Sequence, residues 1–114
     1  EPRPSILFVL GKNAEVLSQG KDLLPILAQL DGDEDYIWSV SVFGRTEGVC
    51  CVAAATLGGH VRVGFENNLH LNDGTTAPNN AALVSQIAAA APIAGRFLVD
   101  AYTARKIMRA TLQP

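Results

Sequence analysis

Short apolar segments alternate with helical patterns along this chain, and this alternation is the feature that most constrains its fold. The segments "SILFVLG" (5–11), "YIWSVSVFG" (36–44) and "GGHVRVGFENN" (58–68) predict β-strands, because they are short, rich in apolar or β-branched residues and bounded by glycine. Helical patterns follow at residues 22–30, 47–57 and 79–91. Strand and helix in turn, at about 30 residues a unit, indicate parallel strands joined by right-handed crossovers.

The ends of these elements carry recognisable signals. Polar side chains that can cap a helix precede each helical pattern: Asp22, Thr46, and Asn79 or Asn80. Gly58 and Gly59 are expected to end the second helix. Residues 31–35 ("DGDED") are predicted to form a solvated turn, residues 95–100 ("GRFLVD") a fourth short strand, and residues from about 103 to 112 a final helix.

Two α/β architectures fit this order: a small doubly wound sheet, or part of a (β/α)8 TIM barrel. No GxGxxG or GxxxxGK[ST] motif follows any predicted strand, so the Rossmann and P-loop types of phosphate binding have no support, and the barrel is favoured. A complete barrel needs about 250 residues. The 114 residues of this chain are therefore predicted to form one portion of a single barrel domain, with about three of its eight βα units.

The net charge, the hydropathy and the cysteine content argue against some classes of function and favour one location. A net charge of −2 argues against a general affinity for nucleic acid or for an anionic membrane. No apolar run reaches the roughly 20 residues of a membrane span. Cys50 and Cys51 are adjacent and poorly placed to bridge each other, so we expect two buried small hydrophobes. Such thiols favour a reducing, cytoplasmic location.

The third predicted strand has one polar side. Residues two apart share a face of a strand, which places His60, Arg62, Gly64 and Glu66 on one side and Val61, Val63 and Phe65 on the other. The apolar side suits the covering helices, so the polar side is predicted to face the barrel interior, where charge is costly. Glu66 falls at the carboxyl end of the strand, where barrel active sites lie. This favours catalysis over the alternative, a buried structural ion pair.

The segment "GGHVRVGFENNLHL" closely resembles the C-terminal signature of the β-keto acid cleavage enzymes, approximately G-G-H-V-R-V-G-hydrophobic-E-D-N-hydrophobic. The segments "FVLG", "WSVSVFGR", "NNAALVSQIA…GR" and "TARKIM" are similar to flanking parts of the same family. The resemblance covers nearly all of this chain but only about the last third of a family member. It implies that residues 1–114 are the C-terminal portion of a barrel, with its last three βα units.

The resemblance implies a zinc-dependent enzyme, usually a homotetramer, that acts on a β-keto acid with acetyl-CoA as co-substrate and gives acetoacetate and a new CoA thioester. The family's zinc is held by two histidines from an early strand, outside this chain, and by a glutamate that corresponds to Glu66. The family's active-site arginine corresponds to Arg62. Arg45, after the second strand, is a candidate ligand for a substrate carboxylate or a CoA phosphate. Arg105, Lys106 and Arg109 are further candidates for the CoA phosphate.

One position departs from the family pattern. The family has an aspartate after the metal-binding glutamate, whereas this chain has Asn67, whose amide cannot accept a proton but can orient a partner by hydrogen bonding. His60 is expected to make a structural hydrogen bond, and His70 to be solvated. Three hypotheses remain open: part of a cleavage enzyme completed by missing strands, a degenerate binding or subunit-interaction module, and another metal-dependent barrel lyase.

Overall fold

The computed structural model of the protein describes residues 4–12, 15–30 and 36–109. Within these ranges the strands are β1 (Ser5–Leu10), β2 (Ile37–Val42) and β3 (His60–Arg62). The helices are α1 (Leu23–Leu27), α2 (Glu47–Thr56), α3 (Asn80–Ala90) and α4 (Ala101–Arg109), and a 3₁₀ turn at Gly20–Asp22 leads into α1. The predicted alternation of strand and helix is therefore confirmed from β1 to α3.

The three strands form one parallel sheet in the order β1-β2-β3. Leu10 lies beside Val42 at the end of the first pair, and Ser41 lies beside Arg62 at the end of the second pair. Because parallel strands run in one direction, their carboxyl ends lie along one edge of the sheet. The chain thus forms a small α/β domain, with a parallel sheet and helices as part of a barrel would have.

The hydrophobic core lies between one face of the sheet and the helices. Trp38, Val40 and Val42 alternate along β2 and belong to the same buried cluster as Cys50 and Cys51 of α2. Both cysteines are free and buried, as predicted. Burial raises the pKa of Cys51 to about 12 and also raises that of Cys50, so both thiols are neutral at pH 7 and act as small apolar side chains.

The opposite face of the sheet is only partly covered by this chain. According to the register of the strands, the residues on this face include Leu7, Val9, Ser39, Ser41, His60 and Arg62. We call this surface the open face. A short continuous apolar run such as residues 5–11 is typical of a strand buried on both faces, but Leu7 and Val9 are each 48% exposed in this chain by itself. An exposed apolar strand face indicates that another element covers it in the complete protein.

The third strand is shorter than predicted. It ends at Arg62, and residues 65–67 form a turn, because the backbone N–H groups of Asn67 and Asn68 both donate to the carbonyl of Gly64, at 3.0 and 3.1 Å. Val61 and Val63 pack against the core as predicted. Phe65, predicted on the same covered side, is 38% exposed because strand alternation has already ended.

The predicted fourth strand at residues 95–100 is also wrong, since these residues form no strand and precede α4, which begins at 101. Arg96 holds this segment against the end of α2. Its guanidinium donates to the carbonyls of Ala55 and Gly59, at 2.9 and 3.1 Å, just where α2 ends. The Ala55 carbonyl lies in the last turn of α2, where it also accepts from the N–H of Gly58 at 3.1 Å, so the arginine adds a second bond there and anchors the segment to the end of the helix.

The predicted helix ends are confirmed in part. Asn79 caps α3, where its side chain accepts from the N–H of Ala82 at 2.9 Å, and Gly58 ends α2 with a φ of 100°. Thr46 precedes α2 without a capping bond, and the carboxylate of Asp22 instead accepts from the N–H of Gln19. The predictions for residues 31–35, and for the last helix beyond residue 109, lie outside the described residues. Among the helices that are described, none has the length and apolar character needed to cross a membrane.

We expect the isolated 114-residue chain to self-associate or to be partly unfolded. In the described structure β1 and β3 each pair with β2 on one side only, which leaves two sheet edges and an apolar strand surface exposed. Sedimentation velocity over a dilution series, together with thermal unfolding, tests this. A monodisperse monomer with a sharp, cooperative transition would contradict it.

Candidate active site at the carboxyl ends of the strands

Two turns meet at the carboxyl edge of the sheet. One leads from β2 into α2, and the other, at residues 64–68, follows β3. The N–H of Gly44 in the first turn donates to the carbonyl of Asn67 in the second, at 2.9 Å. This bond continues the contact between the two segments beyond the last paired residues of the sheet. The residues predicted as catalytic or metal-binding lie in the second turn or next to it.

Arg62 and Glu66 form an ion pair, with the arginine Nη2 donating to the carboxylate Oε2 at 2.7 Å. From the alternation of side chains along a strand, Arg62 and Glu66 were predicted to share one face of the third strand. The structure brings them together differently, because Glu66 lies in the turn after the strand. Their side chains are 51% and 72% exposed. The pair is therefore exposed in this chain by itself, and the alternative of a buried structural pair stays a prediction for a complete barrel. An exposed pair of this kind contributes at most about 1 kcal/mol to stability.

Asn67 is buried, and its side-chain amide donates to the hydroxyl of Ser41. Ser41 lies on the open face beside Arg62, so the asparagine side chain reaches that same face. The side-chain amide of Asn67 thus orients the Ser41 hydroxyl by a hydrogen bond, in line with the prediction that this amide can orient a partner. Ser41 was not predicted from the sequence as part of the site. The available signal was the alternation of serine and valine in "SVSV", which marks a strand with one polar face.

Asn68 and Glu47 form a second buried polar group behind the turn. The side-chain amide of Asn68 donates to the carboxylate Oε1 of Glu47 at 3.2 Å and to the carbonyl of His70 at 2.6 Å. The other carboxylate oxygen of Glu47 accepts a long contact of 3.4 Å from the N–H of Gly64. Sequence reasoning missed Glu47, because a glutamate in the first turn of a helix is ordinary and carries no sign of burial.

Burial raises the pKa of Glu47 above its usual 4.5, although the hydrogen bonds from Asn68 and Gly64 partly oppose this shift. A raised pKa means that the folded protein holds this proton more tightly than the unfolded chain does. The contribution of Glu47 to stability therefore falls as the pH rises from its unfolded pKa through its folded pKa. Only 1% of the residue is exposed, so no substrate can reach this carboxylate from solvent.

Three other predicted residues lie away from this cluster. Arg45 is exposed in the turn after β2, at the same edge, and makes no hydrogen bond or ion pair with the described residues. His60 begins β3 at the far end from Glu66, and burial together with the charge of Arg96 lowers its pKa. The structural hydrogen bond predicted for His60 is not formed with any described residue. His70 is exposed, as predicted.

A groove of about 470 Å³ runs along the unpaired edge of β3, between that strand, α3 and residues 96–99. Its lining is mainly apolar and includes Val61, Val63, Ile87, Phe97 and Val99. His60 and Arg62 also line it, but Glu66 does not. The groove is therefore adjacent to the candidate site and distinct from it, and its apolar character suits a packed neighbour.

The described residues hold no group of three or more histidine, cysteine, aspartate or glutamate side chains that could bind a metal ion. A catalytic zinc site normally has three protein ligands. The described part of the chain thus offers the exposed carboxylate of Glu66 as one potential ligand rather than a complete site.

Residues 1–109 match the protein family that is described as beta-keto acid cleavage enzyme. The chain belongs to the beta-keto acid cleavage enzyme family. The resemblance seen in "GGHVRVGFENNLHL" and in its flanking segments is thereby confirmed. The family assignment rests on nearly the entire chain and does not depend on that motif alone.

Three curated relatives are similar over most of the chain. The 3-keto-5-aminohexanoate cleavage enzymes of Acetoanaerobium sticklandii and Fusobacterium nucleatum are 32% and 33% identical to it over 101 residues. The 3-oxoadipate:acetyl-CoA acetyltransferase of Cupriavidus necator is 38% identical over 109 residues. These alignments cover 89%, 89% and 90% of the chain but 36%, 36% and 37% of the relatives. The chain thus spans little more than a third of the length of these beta-keto acid cleavage proteins.

We expect Ser41→Ala to destabilise the protein that carries this chain. The substitution removes the acceptor of the buried Asn67 amide, and a buried donor left without a partner costs about 1–3 kcal/mol. Urea unfolding of the complete protein measures the change. Ser39→Ala is the matched control, because Ser39 lies on the same face of the same strand and its hydroxyl bonds no described residue. Equal shifts for both variants would contradict the role given to Ser41.

Proposed function

We propose that the protein carrying this chain is a zinc-dependent β-keto acid cleavage enzyme. It converts a β-keto acid and acetyl-CoA into acetoacetate and a new acyl-CoA. The observation that carries the proposal is the Arg62–Glu66 pair, which is exposed at the carboxyl edge of the sheet next to the open face. Family membership supports it, and so does a relative named as an acetyl-CoA acetyltransferase.

Glu66 is the proposed zinc ligand of this chain. Its carboxylate is exposed, so it is accessible to a metal, and carboxylate oxygen is a usual zinc donor. The remaining two ligands are assigned to histidines in the rest of the protein, because a single carboxylate does not make a catalytic site. Bound zinc would supply Lewis-acid polarisation of the keto carbonyl.

Arg62 is proposed to bind the substrate. Its guanidinium carries five N–H donors, and the described contact with Glu66 uses Nη2. The remaining donors can hold a substrate carboxylate bidentately or stabilise developing negative charge on oxygen. Arg45, exposed at the same edge, is proposed to bind a substrate carboxylate or a CoA phosphate.

Asn67 is proposed to orient the site rather than to move a proton. Its amide donates to Ser41, and an amide cannot act as a general base at neutral pH. Any proton removal during turnover therefore falls to another group of the complete protein.

A degenerate binding or subunit-interaction module is the second candidate function. It is favoured by the hydrogen bond of Asn67, because the family has a carboxylate at this position and this chain has a hydrogen-bonded amide.

The chain is proposed to form the last three βα units of a (β/α)8 barrel. Both outer strands have an unpaired edge in the described structure, and the apolar groove beside β3 suits the packing of a neighbouring βα unit. The remaining strands, from the same polypeptide or from another, would close the sheet and cover the open face. A homotetramer, as the family resemblance implies, is the proposed assembly.

We expect Glu66→Gln in the complete protein to reduce both zinc content and activity while leaving the fold intact. The amide removes an anionic ligand, and the exposed ion pair that it also removes contributes little to stability. Zinc is measured by elemental analysis after dialysis, and activity by acetoacetate release. Glu15→Gln, at another exposed glutamate, is the matched control and should change neither quantity.

The isolated chain supplies a second arm of this test. Isothermal titration with zinc should detect no tight site, because Glu66 alone provides too few ligands. Submicromolar binding by the chain would contradict the assignment of two ligands to the rest of the protein. Unchanged zinc content in Glu66→Gln would contradict the assignment of Glu66.

We expect Asn67→Asp to distinguish an enzyme from a non-catalytic relative. A carboxylate at this position can accept a hydrogen bond from the Ser41 hydroxyl, so the substitution is compatible with the local structure. If proton removal limits turnover, the added base should raise the rate, and general-base assistance is worth about 10²–10⁴-fold. If Asn67 is adapted to a different keto acid, the rate on that acid should fall, because negative charge is added beside an anionic ligand.

The assay is acetoacetate release from a panel of β-keto acids with acetyl-CoA, at equal zinc loading. Asn72→Asp adds the same charge in an exposed loop and serves as the control. No turnover by wild type or by Asn67→Asp on any substrate would refute the enzyme proposal and leave the binding module.

A further inference from the structure

Glu47 is a buried carboxylate that the proposed reaction does not use. It is 1% exposed at the start of α2. Burying an ionisable group is costly unless it is hydrogen-bonded, so a structure that retains one gives it partners. Its partners lie in another segment: the carboxylate accepts from Gly64 and Asn68, which are 17 and 21 residues further along the chain.

The helix dipole does not account for this arrangement by itself. A glutamate in the first turn of a helix interacts favourably with the helix N-terminus, but an exposed side chain serves equally well. The carboxylate of Glu47 is instead directed at the two ends of the turn at residues 64–68. That turn is closed on itself by the N–H groups of Asn67 and Asn68, which both donate to the Gly64 carbonyl.

The turn held in this way carries the proposed zinc ligand. Glu66 lies between Gly64 and Asn68, the two residues that Glu47 contacts, and its own side chain is 72% exposed. The turn has further anchors as well: the N–H of Gly44 donates to the Asn67 carbonyl, the Asn67 amide donates to Ser41 of β2, and the N–H of Phe65 donates to the side-chain oxygen of Asn80. Contacts at both ends define the orientation of the turn, and hence the direction in which the Glu66 carboxylate leaves the backbone.

We propose that Glu47 is a positioning residue that fixes the turn at residues 64–68, so that Glu66 is presented to the metal in the orientation that binding requires. The inference rests on the proposed function, in which Glu66 is a zinc ligand. Glu47 itself touches neither metal nor substrate, because it is buried behind the turn. Groups that orient metal ligands in this way typically change metal affinity or activity by about 10–100-fold when they are replaced.

Glu47→Gln in the complete protein is the first test. The amide keeps the size of the side chain but offers one acceptor oxygen in place of two, so its N–H₂ group faces the donor of either Gly64 or Asn68. We expect zinc affinity, measured by competition with a chromophoric chelator, to fall about 10–100-fold. We also expect hydrogen exchange of the amides in the segment 64–68 to become faster, while α3 is unchanged. Glu15→Gln is the control and should leave both measurements at wild-type values.

The double variant Glu47→Gln/Asn68→Asp keeps the experiment decisive if the single variant folds poorly. It exchanges amide and carboxylate across the same contact, so the pair is complementary again, while the bond from residue 68 to the His70 carbonyl is lost. Positioning predicts that this variant recovers part of the zinc affinity and of the protection of segment 64–68 that Glu47→Gln loses. A purely structural role predicts a lower urea midpoint for Glu47→Gln with wild-type zinc affinity in the folded protein, and that result would overturn the inference.

The two proposals fail in different ways. If wild type binds no zinc, the proposed function fails, and the inference about Glu47 fails with it. If wild type binds zinc and Glu66→Gln abolishes binding, while Glu47→Gln has wild-type affinity and wild-type exchange, only the positioning role is refuted.

Discussion

The parallel pairing of β2 with β3 is the interaction on which the candidate site depends. The two strands share a short register, from Ser39 beside His60 to Ser41 beside Arg62, and then both turn away from the sheet at the same edge. The bond from Gly44 to the Asn67 carbonyl extends the contact past the last paired residue. Residues that are more than twenty positions apart in the chain therefore meet, and Ser41 lies within reach of Asn67.

The two faces of the sheet have different physical roles. One face carries Trp38, Val40 and Val42 against the helices, where apolar burial stabilises the fold. The open face carries serines, His60 and Arg62 on two strands, together with exposed Leu7 and Val9 on the third. The exposed apolar part of such a face suits packing against a further element. The polar part would then line an enclosed space, in which charge could be directed at a ligand.

Polar groups near the site divide into those that hold the backbone and those that are available for chemistry. Asn67 with Ser41, and Asn68 with Glu47, are buried pairs, and removing one partner takes a hydrogen bond from a buried polar group of the other, at a cost of about 1–3 kcal/mol. Arg62 and Glu66 are exposed, and their pair contributes about 1 kcal/mol or less. The exposed pair can therefore exchange its contact for a metal or substrate at little cost to the fold.

The alternation of strands and helices, the parallel sheet, the buried cysteines and the Asn79 cap could all be predicted from the sequence, because each depends on neighbouring residues or on a short period. The motif around Arg62 and Glu66 also indicated the family. The turn at residues 65–67, the loss of the fourth strand and the burial of Glu47 could not be predicted in this way. The turn is closed by its own N–H groups on Gly64, and its place is set by the bond of Gly44 with Asn67. The other two features involve bonds between distant segments: Arg96 with the end of α2, and Glu47 with Asn68. Local patterns do not encode such contacts, so only the tertiary structure decided how the carboxylate of Glu66 is held.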